Sequence, residues 1–311
     1  MASSACLSSS LAFAVALGLG AAPLAAQSSH LTRLGMSAPA VAPDPVSANG
    51  IGGWGSAWVV PAAGGEARGV LVAVEHSAFA AVTTAFLAVR ARVGVLWQFG
   101  LAQTSVSDLF DDVLLGEFPG LATLRAAATQ VSVDAIVPLS HGAAAGFGGR
   151  YERDEFLGDA AGIGIVRASA AGPTILGVRS AFAYERVVTG GRGPTDAGRI
   201  RLGLARTAGG GRLATTLAVG ATLGELWEQE SPQRHVAGAL RVTLLELLSL
   251  TGSLGAERDA FGADGWLGFW AFGLGLALGP VGADFRRGGS GAAEAAATGV
   301  SLRYQPTAAR R

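Results

Sequence analysis

Gly265 to Leu278 reads GWLGFWAFGLGLAL, and the period of this stretch decides the fold. Its even positions carry Trp266, Gly268, Trp270, Phe272, Leu274, Leu276 and Leu278, while its odd positions carry Leu267, Phe269, Ala271, Gly273, Gly275 and Ala277. A bulky, aromatic face opposite one that tapers to small residues is the two-residue alternation of a β-strand. The competing reading is a transmembrane helix, because no charge occurs from 265 to 283 and an uncharged run of about that length spans a bilayer. Glycines at 265, 268, 273, 275, 279 and 282, followed by Pro280, make a poor helix. A helix would still gather Trp266, Trp270 and Leu274 on one face, so the aromatics alone do not separate the two readings. Repetition of the same alternation elsewhere does.

That repetition begins near Arg68. Val70, Val72 and Val74 alternate with Leu71, Ala73 and Glu75. Val93, Val95, Trp97, Phe99 and Leu101 alternate with Gly94, Leu96, Gln98, Gly100 and Ala102. Val131, Val133, Ala135, Val137 and Leu139 oppose Gln130, Ser132, Asp134 and Pro138. Val178, Phe182 and Tyr184 oppose Arg179, Ala181, Ala183 and Glu185, and Ile200, Leu202 and Leu204 oppose Arg199, Arg201, Gly203 and Ala205. Runs of about ten alternating residues, separated by Gly, Asp, Arg or Pro turns, are the signature of a membrane β-barrel. The charged face carries few charges, often beside Gly or Ala, as expected where it lines a restricted interior rather than bulk water.

Alternating runs centre near 70, 84, 97, 131, 148, 165, 180, 203, 216, 240, 253, 271, 284 and 301. The expected fold is therefore all-β: a transmembrane antiparallel β-barrel of about 14 strands, since an even number suits a single-chain bacterial barrel. Twelve would follow if the weak runs near 165 or 284 were loops. The barrel is expected over 66–306, with 307–311 as a tail. The closing run, GVSLRY at 299–304, ends on Tyr304; it must pair with the first strand to abolish the sheet edges.

Composition agrees with this class. The chain has 311 residues, 23 basic against 23 acidic groups and no lysine, so nothing points to nucleic acid. Charged residues are 15% and mean hydropathy is +0.41, too apolar for an ordinary soluble domain and too interrupted for a helical bundle in lipid. Part of the count of 47 glycines reflects overall composition. Met1 to Ala26 contains LAFAVALGLGAAPLAA, ending in small residues before Gln27, the length and boundary of a secretory signal, although its n-region MASSAC lacks Arg or Lys. The only cysteine, Cys6, falls inside this segment, so the exported chain would hold no disulfide, thiolate metal site or cysteine nucleophile. Residues 27–65 read as an N-terminal extension whose IGGWGSAWVVP, 51–61, is either a first strand or a plug packed inside the barrel mouth.

These features resemble the outer-membrane barrels related to the long-chain fatty-acid transporter family, including the PorV-like proteins. The resemblance covers the signal, the glycine-rich SANGIGGWGSAWVV at 47–60, the fourteen runs and the aromatic-ended last strand. Members of such families commonly follow the glycine-rich segment with an Asn-Pro-Ala-type motif, where this chain has VVPAAGG at 59–65. The resemblance implies a bacterial outer-membrane location, insertion by the barrel-assembly machinery, and contact with outer-membrane lipids. It also implies two functional alternatives: a transporter or channel for small or hydrophobic solutes, or a PorV-like barrel that docks a secreted or periplasmic protein for secretion or surface attachment.

Enzyme chemistry finds little support. His30, His76, His141 and His235 show no metal-ligand spacing, and Ser77 or Ser140 beside His76 or His141 is the thinnest of nucleophile pairings. GAAAGFGGR at 142–150 has the glycines of a phosphate-binding turn but lacks a following helix, so its glycines read as strand or tight turn. Asp108, Asp111, Asp112 and Glu117 form one acidic group, and Glu152, Asp154, Glu155 and Asp159 a second, both read as solvated loop charge rather than calcium ligands. No cofactor is expected. Ser105 to Gly120, Thr189 to Gly198 and Leu226 to Arg234 are candidate outward loops. Candidate lumen-lining residues are Asp134, Arg179, Glu185, Arg199, Arg201 and Arg241, forming an ion-pair network or steering a solute. Candidate lipid-facing aromatics are Trp97, Phe99, Phe182, Tyr184, Trp266, Trp270, Phe272 and Tyr304.

Overall fold

A computed structural model describes residues 60–64, 69–77, 82–106, 126–156, 159–190, 198–210, 212–224, 234–258, 266–290 and 297–304. Among them run fourteen strands: β1 (Gly69–Ser77), β2 (Val82–Val93), β3 (Val95–Val106), β4 (Ala126–Pro138), β5 (Ala144–Phe156), β6 (Asp159–Ala171), β7 (Val178–Gly190), β8 (Gly198–Gly210), β9 (Leu213–Gly224), β10 (Arg234–Leu244), β11 (Leu248–Arg258), β12 (Leu267–Leu278), β13 (Val281–Ser290) and β14 (Ala297–Tyr304). Each pairs antiparallel with its sequence neighbours, and β1 pairs with β14 from Val72↔Tyr304 to Ser77↔Gly299, so the sheet closes on itself. Closure leaves no edge strand whose backbone groups would be stranded in hydrocarbon. The runs near 165 and 284 are β6 and β13, which makes the strand number fourteen rather than twelve.

The alternation of the sequence becomes two surfaces with inverted chemistry. Along β4, Val131, Val133 and Val137 are exposed while Ala128, Gln130, Ser132, Asp134 and Ile136 are buried. Along β8, Ile200, Leu202 and Leu204 are exposed while Arg199, Arg201 and Ala205 are buried. Leu254 is 71% exposed, whereas Glu152 and Glu185 are 0% exposed. A water-soluble protein does the reverse, since burying large apolar side chains stabilises it by about 1.5–3 kcal/mol each and burying an isolated charge is costly. Only an apolar surrounding makes this surface favourable.

The two ends differ. At one end the connections are short: Gly94 alone joins β2 to β3, Leu139 to Ala143 join β4 to β5, and Gly279–Pro280 join β12 to β13. Gly94 adopts φ 72, a left-handed conformation open to glycine. Between β6 and β7, Ile175 and Val178 exchange backbone hydrogen bonds of 2.9 and 2.8 Å around Leu176 and Gly177, both at positive φ, as a two-residue hairpin turn requires. The other end carries the longer connections, including 107–125 and 225–233, which lie outside the described residues together with most of the three candidate loops and the acidic group at 108–117. The first strand begins and the last strand ends at the short-turn end.

One segment ahead of β1 lies within the barrel rather than in its wall. Pro61–Gly64 form a 3-10 turn, and Val60, Ala62 and Ala63 are fully buried against Leu96, Ile136, Ala144, Ala171 and Ala181. Those wall residues sit near the short turns, so the segment occupies that end of the interior. Residues 1–59, including the signal and most of the glycine-rich segment, fall outside the described part.

Candidate functional site

The interior is built by register. Reading across the sheet, Arg90 pairs with Gln98, Gln98 with Asp134, Asp134 with Gly148, Gly148 with Arg167, Arg167 with Glu185 and Glu185 with Arg199. Every one of these positions has inward parity, so one row of the ladder delivers a belt of polar groups across seven strands. Gly148 is the gap that lets the belt close. Arg167 reaches over it from β6 to Asp134 on β4, donating from Nε at 2.9 Å and from Nη2 as well, a two-pronged guanidinium–carboxylate pair. A methyl group on Gly148 would overlap Asp134 Oδ1 and the Val133 carbonyl oxygen.

A second centre forms around Glu185. Arg150 Nη2 lies 2.9 Å from its Oε1, Arg199 Nε donates to its Oε2 at 2.8 Å, and Arg201 Nε lies 3.5 Å from the same oxygen. Arg150 also holds Glu152 of its own strand at 2.7 Å. All of these side chains are at most 7% exposed. Partners at this depth act in a low dielectric, so removing one strands the rest.

The same network fixes the inner segment. Arg90 Nη2 donates to the Pro61 carbonyl at 3.1 Å, and Ala62 N donates to Ser169 Oγ at 3.2 Å. Ser169 leans over Gly146, where an added Cβ would come within 2.6 Å of its hydroxyl. The inward positions Ala144, Gly146 and Gly148 therefore make β5 a floor over which Ser169 and Asp134 extend. GAAAGFGGR is turn and strand, with no helix following it.

Of the six candidate lumen residues, Asp134, Glu185, Arg199 and Arg201 are buried and converge in this belt. Arg179 and Arg241 also have inward parity but lie apart from it, part-exposed toward the short-turn end of β7 and β10. Among the aromatics, Phe99, Phe182, Tyr184, Trp266, Trp270, Phe272 and Tyr304 are exposed on the outer face. Trp97 shares that face half-buried, stacked 6.5 Å from Phe99, as Trp270 stacks 6.0 Å from Phe272. Trp97 and Tyr304 stand near the short turns and Trp266 near the opposite end.

Arg90, Arg150, Glu152 and Arg167 were not among the sequence candidates, yet they complete the belt. For Arg150 and Glu152 the signal was present, since both share the parity of Ala144, Gly146 and Gly148; Arg167 shares its parity with Ile163 and Ile165, which the small-face-inward pattern would have turned toward lipid. Glu152, Asp154, Glu155 and Asp159 do not form a solvated loop: the first three lie in β5 and Asp159 opens β6. The period-two alternation continues through RYERDEF, so Glu152 turns inward while Glu155 points out and pairs with Arg153 at 2.7 Å. His141 sits exposed in the β4–β5 turn at φ 55. Among the described residues, no group of three or more His, Cys, Asp or Glu is placed to hold a metal ion.

No family model matches the chain, and no curated protein does. Solved structures do. The chain is similar to the Pseudomonas putida toluene transporter TodX, with 10% identity over 83% of this chain and 96% of that one at a TM-score of 0.51. It is also similar to the CymD monoaromatic hydrocarbon channel, with 7% identity over 76% of this chain and 88% of that one at a TM-score of 0.50. The Acinetobacter baumannii outer membrane protein Omp33 gives 10% identity over 76% and 98% of the two chains at a TM-score of 0.48. The chain folds as an outer-membrane β-barrel. At these identities the likeness concerns fold, and it lends no support to the partner-docking alternative.

Proposed function

We propose that the protein is a channel or transporter for small or hydrophobic solutes in a bacterial outer membrane, exported by its N-terminal signal and oriented with the short turns toward the periplasm. The observation that carries this reading is the inverted barrel. Large apolar side chains face outward on most strands, and the interior sets a belt of ions beside two apolar clusters, one around Val60, Leu96 and Ile136 and one of Ile163, Ile165 and Val187. A conduit needs a wall that water and solutes can wet, which the part-exposed inward residues, rather than the buried belt, would supply. The described inward residues along β2–β8 are mostly buried, whereas on the opposite wall Thr243, Ser249, Thr251 and Ala277 are part-exposed beside buried Ser253, Gly275 and Gly282, the side on which a path would run. That TodX is a toluene transporter and CymD a hydrocarbon channel adds support from the fold.

Purified protein reconstituted into planar bilayers should give discrete conductance steps, and liposomes carrying it should swell in isotonic small solutes. A correctly folded, heat-modifiable barrel that is silent in both assays would overturn the reading.

A further inference from the structure

Two hairpin tips at the short-turn end carry leucine where the backbone favours glycine or asparagine. Leu176 in the β6–β7 turn is 89% exposed at φ 51, and Leu245 in the β10–β11 turn is 65% exposed at φ 54, with Glu246 after it at φ 57. A left-handed leucine crowds its own Cβ against the following carbonyl oxygen, and exposure gives up the burial that could offset that cost. Strained and exposed apolar residues of this kind belong where a partner covers them.

The acyl chains end short of both tips. On the outward face of β8, Ile200, Leu202 and Leu204 give way to Arg206, which is exposed. A charge on the lipid face is costly at the bilayer midplane and tolerated near the interface, so Arg206 marks where the apolar band ends on this strand. Val178 stands in register with Arg206, and Thr207 N donates to the Gly177 carbonyl at 3.3 Å, so Leu176 lies past that mark. On the other flank the β8–β9 turn reaches Arg212, also exposed, whose carbonyl accepts Leu245 N at 2.9 Å. Ala277 N donates to the Leu247 carbonyl at 2.7 Å and braces the same turn against β12.

The two tips flank one hairpin, which gives the patch a defined span. Neighbouring hairpins stand two strand spacings apart, about 10 Å, so Leu176 and Leu245 lie about 20 Å from each other along the wall. Arg206 and Arg212 stand between them, and the described ion pairs engage neither. Among the described residues of these three turns Glu246 is the only acid, so the charge between the leucines is positive.

We propose that this patch docks an acidic amphipathic segment of a protein on the short-turn side, the periplasm in the orientation given above. Two apolar side chains of that segment, about 20 Å or just under four helical turns apart, pack on Leu176 and Leu245, and acidic side chains between them meet Arg206 and Arg212. The proposal rests on that orientation and not on conduction.

Two measurements decide it, both on the full chain in phosphatidylcholine nanodiscs. In a Cys6→Ser background, which removes the only cysteine, Leu176→Cys and Leu245→Cys carry an environment-sensitive dye. Its emission should be water-like and indifferent to acyl-brominated lipid; quenching by that lipid means that the bilayer covers the tips, and overturns the proposal. The second probe is a peptide of about 14 residues built from Leu, Glu and Ala, with leucine near each end and glutamate between, followed by fluorescence anisotropy. Wild type should bind it and not the version with lysine in place of glutamate. Leu176→Asn and Leu245→Asn should each weaken binding about tenfold, the effect of burying one leucine, and Arg212→Gln about threefold, that of one surface ion pair. Asparagine suits a left-handed turn, so the leucine variants keep heat-modifiable migration and their loss of binding is not misfolding. Wild type that binds neither peptide, binds both alike, or loses nothing in the double asparagine variant overturns the proposal. A barrel that binds the acidic peptide yet passes no current sinks the transport reading and leaves this one standing.

Discussion

Replacing Glu185 with glutamine keeps the shape of the side chain and deletes the charge on which three guanidinium groups converge. Arg150 at 2.9 Å, Arg199 at 2.8 Å and Arg201 at 3.5 Å would then face a neutral amide, and the amide nitrogen would present donors to donors. The side chains of Glu185 and Arg150 are 0% exposed and those of Arg199 and Arg201 are 7% exposed, so water cannot take the carboxylate's place. Removing one member of a buried ion pair costs about 3–5 kcal/mol, and three partners put Glu185→Gln toward the upper end. With a urea slope of about 2 kcal/mol per molar, the unfolding midpoint should fall by about 2 M, read from tryptophan fluorescence of the barrel in lipid vesicles. Adding Arg199→Gln to Glu185→Gln should restore part of the loss, because it removes one of the stranded cations; the cycle of single and double variants isolates that coupling. A midpoint shift equivalent to less than about 0.5 kcal/mol, the range of ordinary surface substitutions, would show that the network carries no stability and that the interior is wetter than its geometry implies.

Two further substitutions test the wall. Gly148→Ala sets a methyl group on Asp134 Oδ1 and the Val133 carbonyl, so it should destabilise the barrel by about 1–3 kcal/mol in the same titration, while Gly252→Ala, with nothing within 4 Å, should be neutral. Leu240→Arg places a charge on the outward face midway along β10 and should cost about 2–4 kcal/mol of folding free energy in vesicles; an equally stable variant would argue that this face does not meet acyl chains.

Most of the wall was legible from residue order. All fourteen alternating runs, including the weak ones near 165 and 284, are strands, because a period of two survives wherever one face must be apolar and the other must not. Parity likewise assigned Asp134, Glu185, Arg199 and Arg201 to the inner face, and Phe99, Trp270 and Tyr304 to the outer. What misled was local composition. In Glu152 to Asp159 the density of acids suggested a loop, although the alternation ran through it.

The sequence by itself determined which side meets lipid wherever bulky and small residues alternate, as along β4, β8 and β12, since that depends only on neighbours two residues apart; in β6 the bulky Ile163 and Ile165 turn inward against Val187, a packing that only the sheet decides. Nor could residue order say which charges meet across the sheet. Arg167 finds Asp134 two strands away because Gly148 vacates the position between, and Arg90 finds the Pro61 carbonyl because residues 60–64 enter the barrel rather than joining its wall. Those encounters follow from register and closure, which fix distances between residues far apart in the chain. Only the closed sheet brings them within hydrogen-bond reach.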